Sequence, residues 1–403
     1  MLKHVILGNG AAGITAAAKL REANANDYIT IVSGEAWPVY SKPMLPDYIG
    51  GKLNKDKLFL RSHNFYHDSN IELVRNNPCK DIDAQSRRII LNDGTSIEYD
   101  RLLIAVGGTP LIPPVEGLRE AGCLTLNSLD DADRIRQQSR QGGRAVIMGA
   151  GLTGIETGFA LKALGMEVCI IEREKRILPL QMDSESSEVM LERIRNEGIK
   201  ILMETTIVKA CGGERNTILL SDGTQLTYDM LVVSSGTRPN VAFAAQCGIK
   251  IGRGIIVNEF METSCRHIYA AGDAAELVDA KSGNSRIACI WPNAMNQGRA
   301  AAFSMAGQPQ GFSAEAARLN QVQMRDIPFV SMGLVNPEED CEILSRRYDS
   351  GAYRRLVIKN GVVKGMILIG DTRSLRSIGE LIRKGVDTSE FHHRLLEEEF
   401  SLK

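Results

Sequence analysis

His4-Val5-Ile6-Leu7-Gly8-Asn9-Gly10-Ala11-Ala12-Gly13 stands near the start of this 403-residue sequence, and Ala145-Val146-Ile147-Met148-Gly149-Ala150-Gly151-Leu152-Thr153-Gly154 repeats its pattern far downstream. Each stretch is a short β-type run that meets Gly-x-Gly-x-x-Gly. Behind the first lie a helical run from Ile14 to Ala23 and a second apolar strand from Tyr28 to Val32. Behind the second lie a helical run to about Leu164 and a strand from Val168 to Ile171, ending in Glu172. The order predicts strand, tight turn, helix and strand in both places. The first glycine (Gly8, Gly149) permits the turn. The second (Gly10, Gly151) lets a pyrophosphate reach the backbone, and the third (Gly13, Gly154) lets helix and strand pack closely. The helix starts at Ala11-Ala12 and Leu152-Thr153 would offer free N–H groups and a positive dipole end to phosphate. One such motif fits any glycine-rich turn of an α/β protein. Two, with matching flanks, point to two dinucleotide sites.

The residue closing the second strand discriminates between dinucleotides. Glu172 stands about 20 residues beyond the glycines, where a carboxylate accepts from a ribose 2′-OH and repels a 2′-phosphate. That favours NADH over NADPH. Arg173, Lys175 and Arg176 follow closely and would suit a phosphate. In the first copy the strand-end position is Ser33, and Glu35 is the candidate for the ribose.

The net charge of -1 gives no electrostatic reason to invoke nucleic acid or an anionic membrane. No apolar run reaches the ~20 residues of a membrane span, and no secretory leader is recognisable, so a cytoplasmic location is expected. The eight cysteines are scattered without a CxxC pair. They read as buried or incidental free thiols and not as zinc or iron–sulfur ligands.

These residues resemble the two-dinucleotide flavoproteins related to the pyridine nucleotide-disulfide oxidoreductases. Three further stretches carry the resemblance. Tyr99 to Gly108 is similar to the strand-and-glycine crossover out of the FAD domain, with Ala105 and Gly107 at the cofactor. Tyr228 to Asn240 is similar to the return crossover, with Gly236 at the NAD site. Ile268 to Ala275 is similar to the second FAD fingerprint, in which Gly272 approaches the cofactor and Asp273 binds the ribityl chain. The resemblance implies an α/β fold of two Rossmann-type dinucleotide-binding domains plus a small α+β C-terminal interface domain. The FAD domain (1–110 and 236–310) would be interrupted by the NAD domain (111–235), and 311–403 would form the interface domain. It also places Lys42 and Pro43 of the Tyr40–Pro46 stretch at the FAD pyrophosphate, with Lys42 where Arg is usual. Cys79 would lie along the FAD. Pro292 opens a helix aimed at the flavin, and Glu156 would lie by the nicotinamide. As a bare charge near a helix start, Glu156 equally suits the dipole.

The same resemblance shows what is missing. Disulfide reductases of the group carry a redox CxxxxC, and the coenzyme A disulfide reductases a single cysteine, where Trp37 to Tyr48 has none. Thiol chemistry is therefore not expected. No protein acid or base is required for hydride transfer between NAD(H) and FAD. A flavin can also split a two-electron donor into single-electron steps. The nearest similarity is to the NADH:rubredoxin reductases and the flavin module of NADH-dependent nitrite reductases. Part of it rests on Tyr353 to Gly361 and Ile367 to Thr372, read as two strands joined by an Asn-Gly hairpin, then a helix. The expected activity is electron passage to a rubredoxin or ferredoxin. Lys52, Lys55, Lys57 and Arg61 would steer an acidic carrier, or would simply be a solvated helix face. An NAD(H)-facing subunit of an iron–sulfur complex, working even toward NAD+ reduction, is the alternative. An NADH oxidase and a non-enzymatic redox sensor come after it. The oligomeric state is left open.

Overall fold

The computed structural model describes residues 1–62, 64–213, 215–278, 285–287, 289–312, 319–337 and 340–401. The chain divides into two compact units. One comprises Met1–Pro43, Lys55–Thr109 and Thr237–Ala317, and the other Met44–Asn54, Pro110–Gly236 and Arg318–Lys403. No helix among the described residues is long and apolar enough to cross a membrane.

In the first unit five parallel strands lie in the order Ile268–Ala270, Arg101–Ile104, Lys3–Leu7, Tyr28–Val32 and Ile71–Val74. Their inner segments are almost wholly Val, Ile and Leu, as a sheet covered on both faces requires. Helix Ala11–Ala23 links Lys3–Leu7 to Tyr28–Val32 and packs on helix Trp291–Met305. The approach is close: a Cβ on Gly298 would come 2.2 Å from the Ala12 carbonyl oxygen.

The second unit repeats the scheme. Lys200–Leu202, Glu167–Ile171, Arg144–Met148 and Met230–Val233 form a parallel sheet, with helix Leu152–Ala163 behind the glycine turn. The repeat extends further than the two fingerprints. Each unit carries a three-stranded antiparallel meander before its crossover strand, Cys79–Asp83, Arg88–Leu91 and Ser96–Glu98 in one, Ile207–Cys211, Asn216–Leu220 and Gln225–Tyr228 in the other. Each meander turns on an Asp-Gly pair, with Gly94 at φ 87° and Gly223 at φ 84°. Asp93 accepts from the Thr95 N–H at 2.9 Å and Asp222 from the Thr224 N–H at 2.8 Å. Asp100 and Asp229 then each accept from the first backbone N–H of the neighbouring central strand at 2.7 Å.

Segment Met44–Asn54 belongs to the second unit because its side chains are engaged there. The Tyr48 hydroxyl donates to Asp133 at 2.6 Å. The Arg136 guanidinium lies 4.9 Å from the Tyr48 ring centroid. Gly50 lies so close to the Leu152–Ala163 helix that a Cβ there would sit 3.2 Å from the Ala160 Cα.

The C-terminal part contains the expected hairpin, Tyr353–Lys359 and Val362–Ile369, joined through Asn360 (φ 50°) and Gly361 (φ 72°), and the expected helix, Leu375–Lys384. Two consecutive left-handed residues match the twist of a two-residue hairpin. The sheet is larger than the hairpin. Leu319–Met324, Ile327–Gly333 and Glu342–Arg347 complete five antiparallel strands. Ile378 and Leu381 of the helix are fully buried in the core of this sheet.

Candidate cofactor crevices

The two glycine turns are built alike. Gly8 (φ 112°) and Gly149 (φ 109°) adopt backbone that side chains avoid, and a Cβ would strike the Ala105 carbonyl oxygen at 2.1 Å or the Ser234 carbonyl oxygen at 2.3 Å. A Cβ on Gly13 would meet the Gly8 carbonyl oxygen at 1.9 Å, and one on Gly154 the Gly149 carbonyl oxygen at 2.1 Å. The middle glycines differ in kind. Gly10 and Gly151 are the N-caps of their helices, have no side-chain cap, and have nothing within 4 Å of a Cβ position. Protein atoms demand the outer glycines. Open space in front of the helix N–H groups surrounds the middle ones, as an approaching phosphate needs.

In the first unit Ala11 and Ala12 are buried in the first helical turn. Gly272 (φ 73°) is held by its N–H, which donates to Gln297 Oε1 at 2.7 Å. It presents Asp273 on a single 3-10 turn, Gly272–Ala274. Burial pushes the Asp273 carboxyl up, and the Lys42 ammonium pulls it back. Lys42 also pairs with Glu35 at 3.2 Å, and Glu35 accepts from the Tyr40 hydroxyl at 2.5 Å. The residues assigned to ribose and pyrophosphate are thus brought together, bound to each other. Ser33 holds the Glu35 N–H at 3.1 Å. Pro43 and Pro292 are exposed, and Pro292 lies in the first turn of the Trp291–Met305 helix. The Ala105 N–H donates to the Leu7 carbonyl at 2.7 Å, and the Gly107 carbonyl accepts from the Asn240 N–H at 3.0 Å. The Cys79 thiol donates to the Asp81 carbonyl at 3.2 Å and packs against the core. Burial pushes it up to about 12, so it supplies no thiolate.

Three polar groups here are not among the candidates that the sequence motifs point to. Gln297 and Asn293 are both 2 % exposed and lie one turn apart on an otherwise alanine-rich helix. Asn9 accepts from the Tyr66 hydroxyl at 3.0 Å. The Nδ2 atoms of Asn9 and Asn293 are buried without an acceptor. Such a donor costs about 1–3 kcal/mol unless something accepts from it. Phosphate and carbonyl oxygens of FAD fit that need. The signal was available as amides at i and i+4 on a buried helix.

In the second unit Glu172, 9 % exposed, accepts from the Ala150 N–H at 2.6 Å and the Glu174 N–H at 2.8 Å. Its carboxylate braces the glycine turn and keeps lone pairs for a further donor. Arg173 pairs with Glu174 at 2.8 Å, and Arg176 donates to Ser184 and Asn336 at 3.2 Å. Leu152 is half-buried and Thr153 exposed in the first helical turn. Gly236 (φ 100°) has no atom near a Cβ position. Glu156 lies half-buried one turn into the Leu152–Ala163 helix. Burial first, then the Asp47 carboxylate, push it up to about 8, and the Lys52 ammonium partly offsets this. Asp47 and Lys52 pair with each other at 3.3 Å.

Two braced glycine cradles, each following an inner strand of a parallel sheet, define a protein with two dinucleotide sites. Residues 2–298 match the pyridine nucleotide-disulphide oxidoreductase family, and the chain belongs to it; residues 319–386 match the rubredoxin NAD+ reductase C-terminal domain. Members of the family bind FAD and NAD(H). The assimilatory nitrate reductase electron transfer subunit of Bacillus subtilis is 29% identical over 98% of this chain and 51% of its own length. This chain therefore spans about half of that relative. The epsilon subunit of NADH-dependent phenylglyoxylate dehydrogenase from Aromatoleum evansii is 27% identical over 98% of this chain and 94% of its own. A ferredoxin reductase structure from Rhodopseudomonas palustris superposes with a TM-score of 0.88 at 26% identity, over 96% of both chains.

Proposed function

We propose that this protein takes a hydride from NADH onto FAD and hands the electrons singly to an iron–sulfur carrier of the rubredoxin or ferredoxin type, in the cytoplasm. The observation that carries the reading is the pair of open middle glycines, Gly10 and Gly151, each in front of an uncapped helix N-terminus. FAD would occupy the first crevice. Asp273 would accept from ribityl hydroxyls, and Lys42 would neutralise pyrophosphate as a single point charge. Asn9 and Asn293 would spend their idle donors there. NADH would occupy the second crevice. Glu172, already fixed by two backbone N–H groups, is preorganised to accept from the 2′-OH. The engagement of Arg173 and Arg176 elsewhere supports NADH over NADPH. Bound flavin supplies the hydride acceptor and the change from two-electron to one-electron transfer. Protonated Glu156 would be a neutral donor beside the nicotinamide, adding no negative charge there.

A second reading, an NAD(H)-facing subunit of an iron–sulfur complex, is favoured by the full-length similarity to the phenylglyoxylate dehydrogenase subunit. Anaerobic titration with NADH tests the common core. Bleaching of the yellow flavin band by about one equivalent is expected, since one hydride carries the two electrons one flavin takes. A flavin left oxidised by excess NADH would sink it. Reduction of a free carrier, against reduction only in the presence of co-purifying subunits, separates the two readings.

A further inference from the structure

Resting on the reading that electrons leave through a protein carrier, we propose that a face of the first unit centred on Trp37, Phe59 and Leu60 docks a small acidic iron–sulfur protein. Two chain segments cross there. The Leu60 N–H donates to the Val39 carbonyl at 3.1 Å, and the Ser41 N–H to the Leu58 carbonyl at 2.9 Å. Along this short ladder Val39 and Leu58 are buried, 1% and 0% exposed, and Leu60 stands out at 42%. The Trp37 and Phe59 rings lie together, 6.4 Å between centroids.

Cations surround this apolar centre. The Lys55 ammonium sits 3.9 Å over the Trp37 ring, and the Arg61 guanidinium 4.9 Å from the Phe65 ring. Arg75 donates to the Ala36 carbonyl at 3.3 Å, and Lys57 is exposed on the Lys55–Leu58 turn. The carboxylate of that turn is Asp56. The sequence left the basic run Lys52, Lys55, Lys57 and Arg61 as either a steering patch for an acidic carrier or a solvated helix face. Of that run, Lys55 and Lys57 stand on a single 3-10 turn and Arg61 follows it, so these charges gather beside an aromatic pair. An apolar centre inside a charged rim is the anatomy of a transient protein interface. The aromatic centre suits a protein partner better than a bare polyanion, and the rim selects an acidic one. The face also leads directly into the FAD crevice. Trp37 is followed within one short stretch by Tyr40 and Lys42, both bound to Glu35.

The test uses the full chain loaded with FAD. NADH-driven reduction of an acidic rubredoxin and of a neutral quinone is measured for wild type, for the double variant Lys57→Glu/Arg61→Glu and for Trp37→Ala. The charge reversal is expected to lower kcat/KM for rubredoxin about 10-fold at low salt, and the gap should close at high salt as the charges are screened. Trp37→Ala should lower it at every salt concentration. Quinone reduction should stay unchanged in both variants. Equal rubredoxin kinetics for wild type and variants at low salt overturn the proposal, as does a wild type that reduces quinone but not rubredoxin. A wild type inert toward quinone as well sinks the underlying reading, and the docking face with it.

Discussion

Replacing a middle glycine by alanine separates what the protein needs from what a ligand needs. At Gly151 the backbone has φ -78°, at Gly10 φ -90°, both ordinary for an L residue, and neither Cβ would have a protein atom within 4 Å. Neither substitution should cost more than about 1 kcal/mol of stability through the weaker N-cap. A phosphate lying on that backbone would meet the new methyl at overpacked distance, worth about 1–3 kcal/mol. At 1.4 kcal/mol per factor of ten, that is about 5- to 150-fold in affinity. Gly151→Ala should therefore purify with a full complement of flavin and show an NADH Kd weakened by that factor. Gly10→Ala should lose flavin while its second crevice still binds NADH. Flavin content is read from absorbance and protein concentration, and NADH affinity by titration of each variant. Gly154→Ala is the contrast, because its Cβ would lie 2.1 Å from the Gly149 carbonyl oxygen and should prevent folding of the second unit. Flavin loss in Gly151→Ala with unchanged NADH affinity would reverse the assignment of the two crevices. No effect in either variant would remove phosphate from both turns.

Asp273→Asn should weaken FAD binding about 10- to 150-fold, the value of one charge-assisted hydrogen bond, and dialysis followed by flavin absorbance checks it. Glu172→Gln keeps an oxygen for the Ala150 N–H but removes the charge, so NADPH should gain on NADH in competitive titration, and an unchanged ratio takes Glu172 off the ribose. Glu156 is raised from 4.5 to about 8, so folding favours its protonated form. Its contribution is fully present below the unfolded value and is lost as pH rises from about 4.5 through about 8. Glu156→Gln should flatten that part of the pH dependence of Tm, and identical slopes would deny the burial. Asp183 caps the Ser184–Asn196 helix and pairs with buried Arg355 at 3.0 Å. Asp183→Ala should cost about 3–5 kcal/mol by taking the counter-charge from a buried guanidinium, and a Tm within a degree or two of wild type, against the several degrees such a loss implies, would place the ion pair among the negligible ones.

The strands and helices of both fingerprints were legible because local pattern and tertiary role agree there. Apolar runs meet glycines that backbone carbonyls of neighbouring strands make obligatory. The rest of the repeat was equally written and went unread. Leu91-Asn92-Asp93-Gly94-Thr95 leads to Tyr99-Asp100, and Leu220-Ser221-Asp222-Gly223-Thr224 leads to Tyr228-Asp229. Both mark a meander whose closing aspartate binds the central strand. Polar side chains alternating through short exposed strands gave too little periodicity to show it. Glu35 and Lys42 were legible as polar candidates beside the first glycine turn, but their mutual pairing was not. A sequence carries no information on which of two long side chains will reach the other before a ligand arrives.

The C-terminal hairpin was legible as two strands, but the role of the two arginines within it was not. Tyr353-Arg354-Arg355-Leu356 places two guanidinium groups in a central strand, and a charge pattern of that kind reads as surface. Both are buried, Arg354 at 2% and Arg355 at 6% exposure. Arg354 donates to the carbonyls of Leu395 and Glu397 at 2.8 and 2.7 Å, holding the terminal turn down. Arg355 points to the opposite face, to the Val335 carbonyl at 3.1 Å and Asp183. Burial of a charge is tolerable only where partners remote in sequence replace water, and no local window contains them. The two arginines alternate across one strand as apolar residues would. They make that strand the tie between the terminal segment on one face and the Ser184–Asn196 helix on the other. The C-terminal part is thus joined to the second unit by directional bonds as well as by apolar contact. These bonds lie within the second compact unit, which includes the C-terminal part.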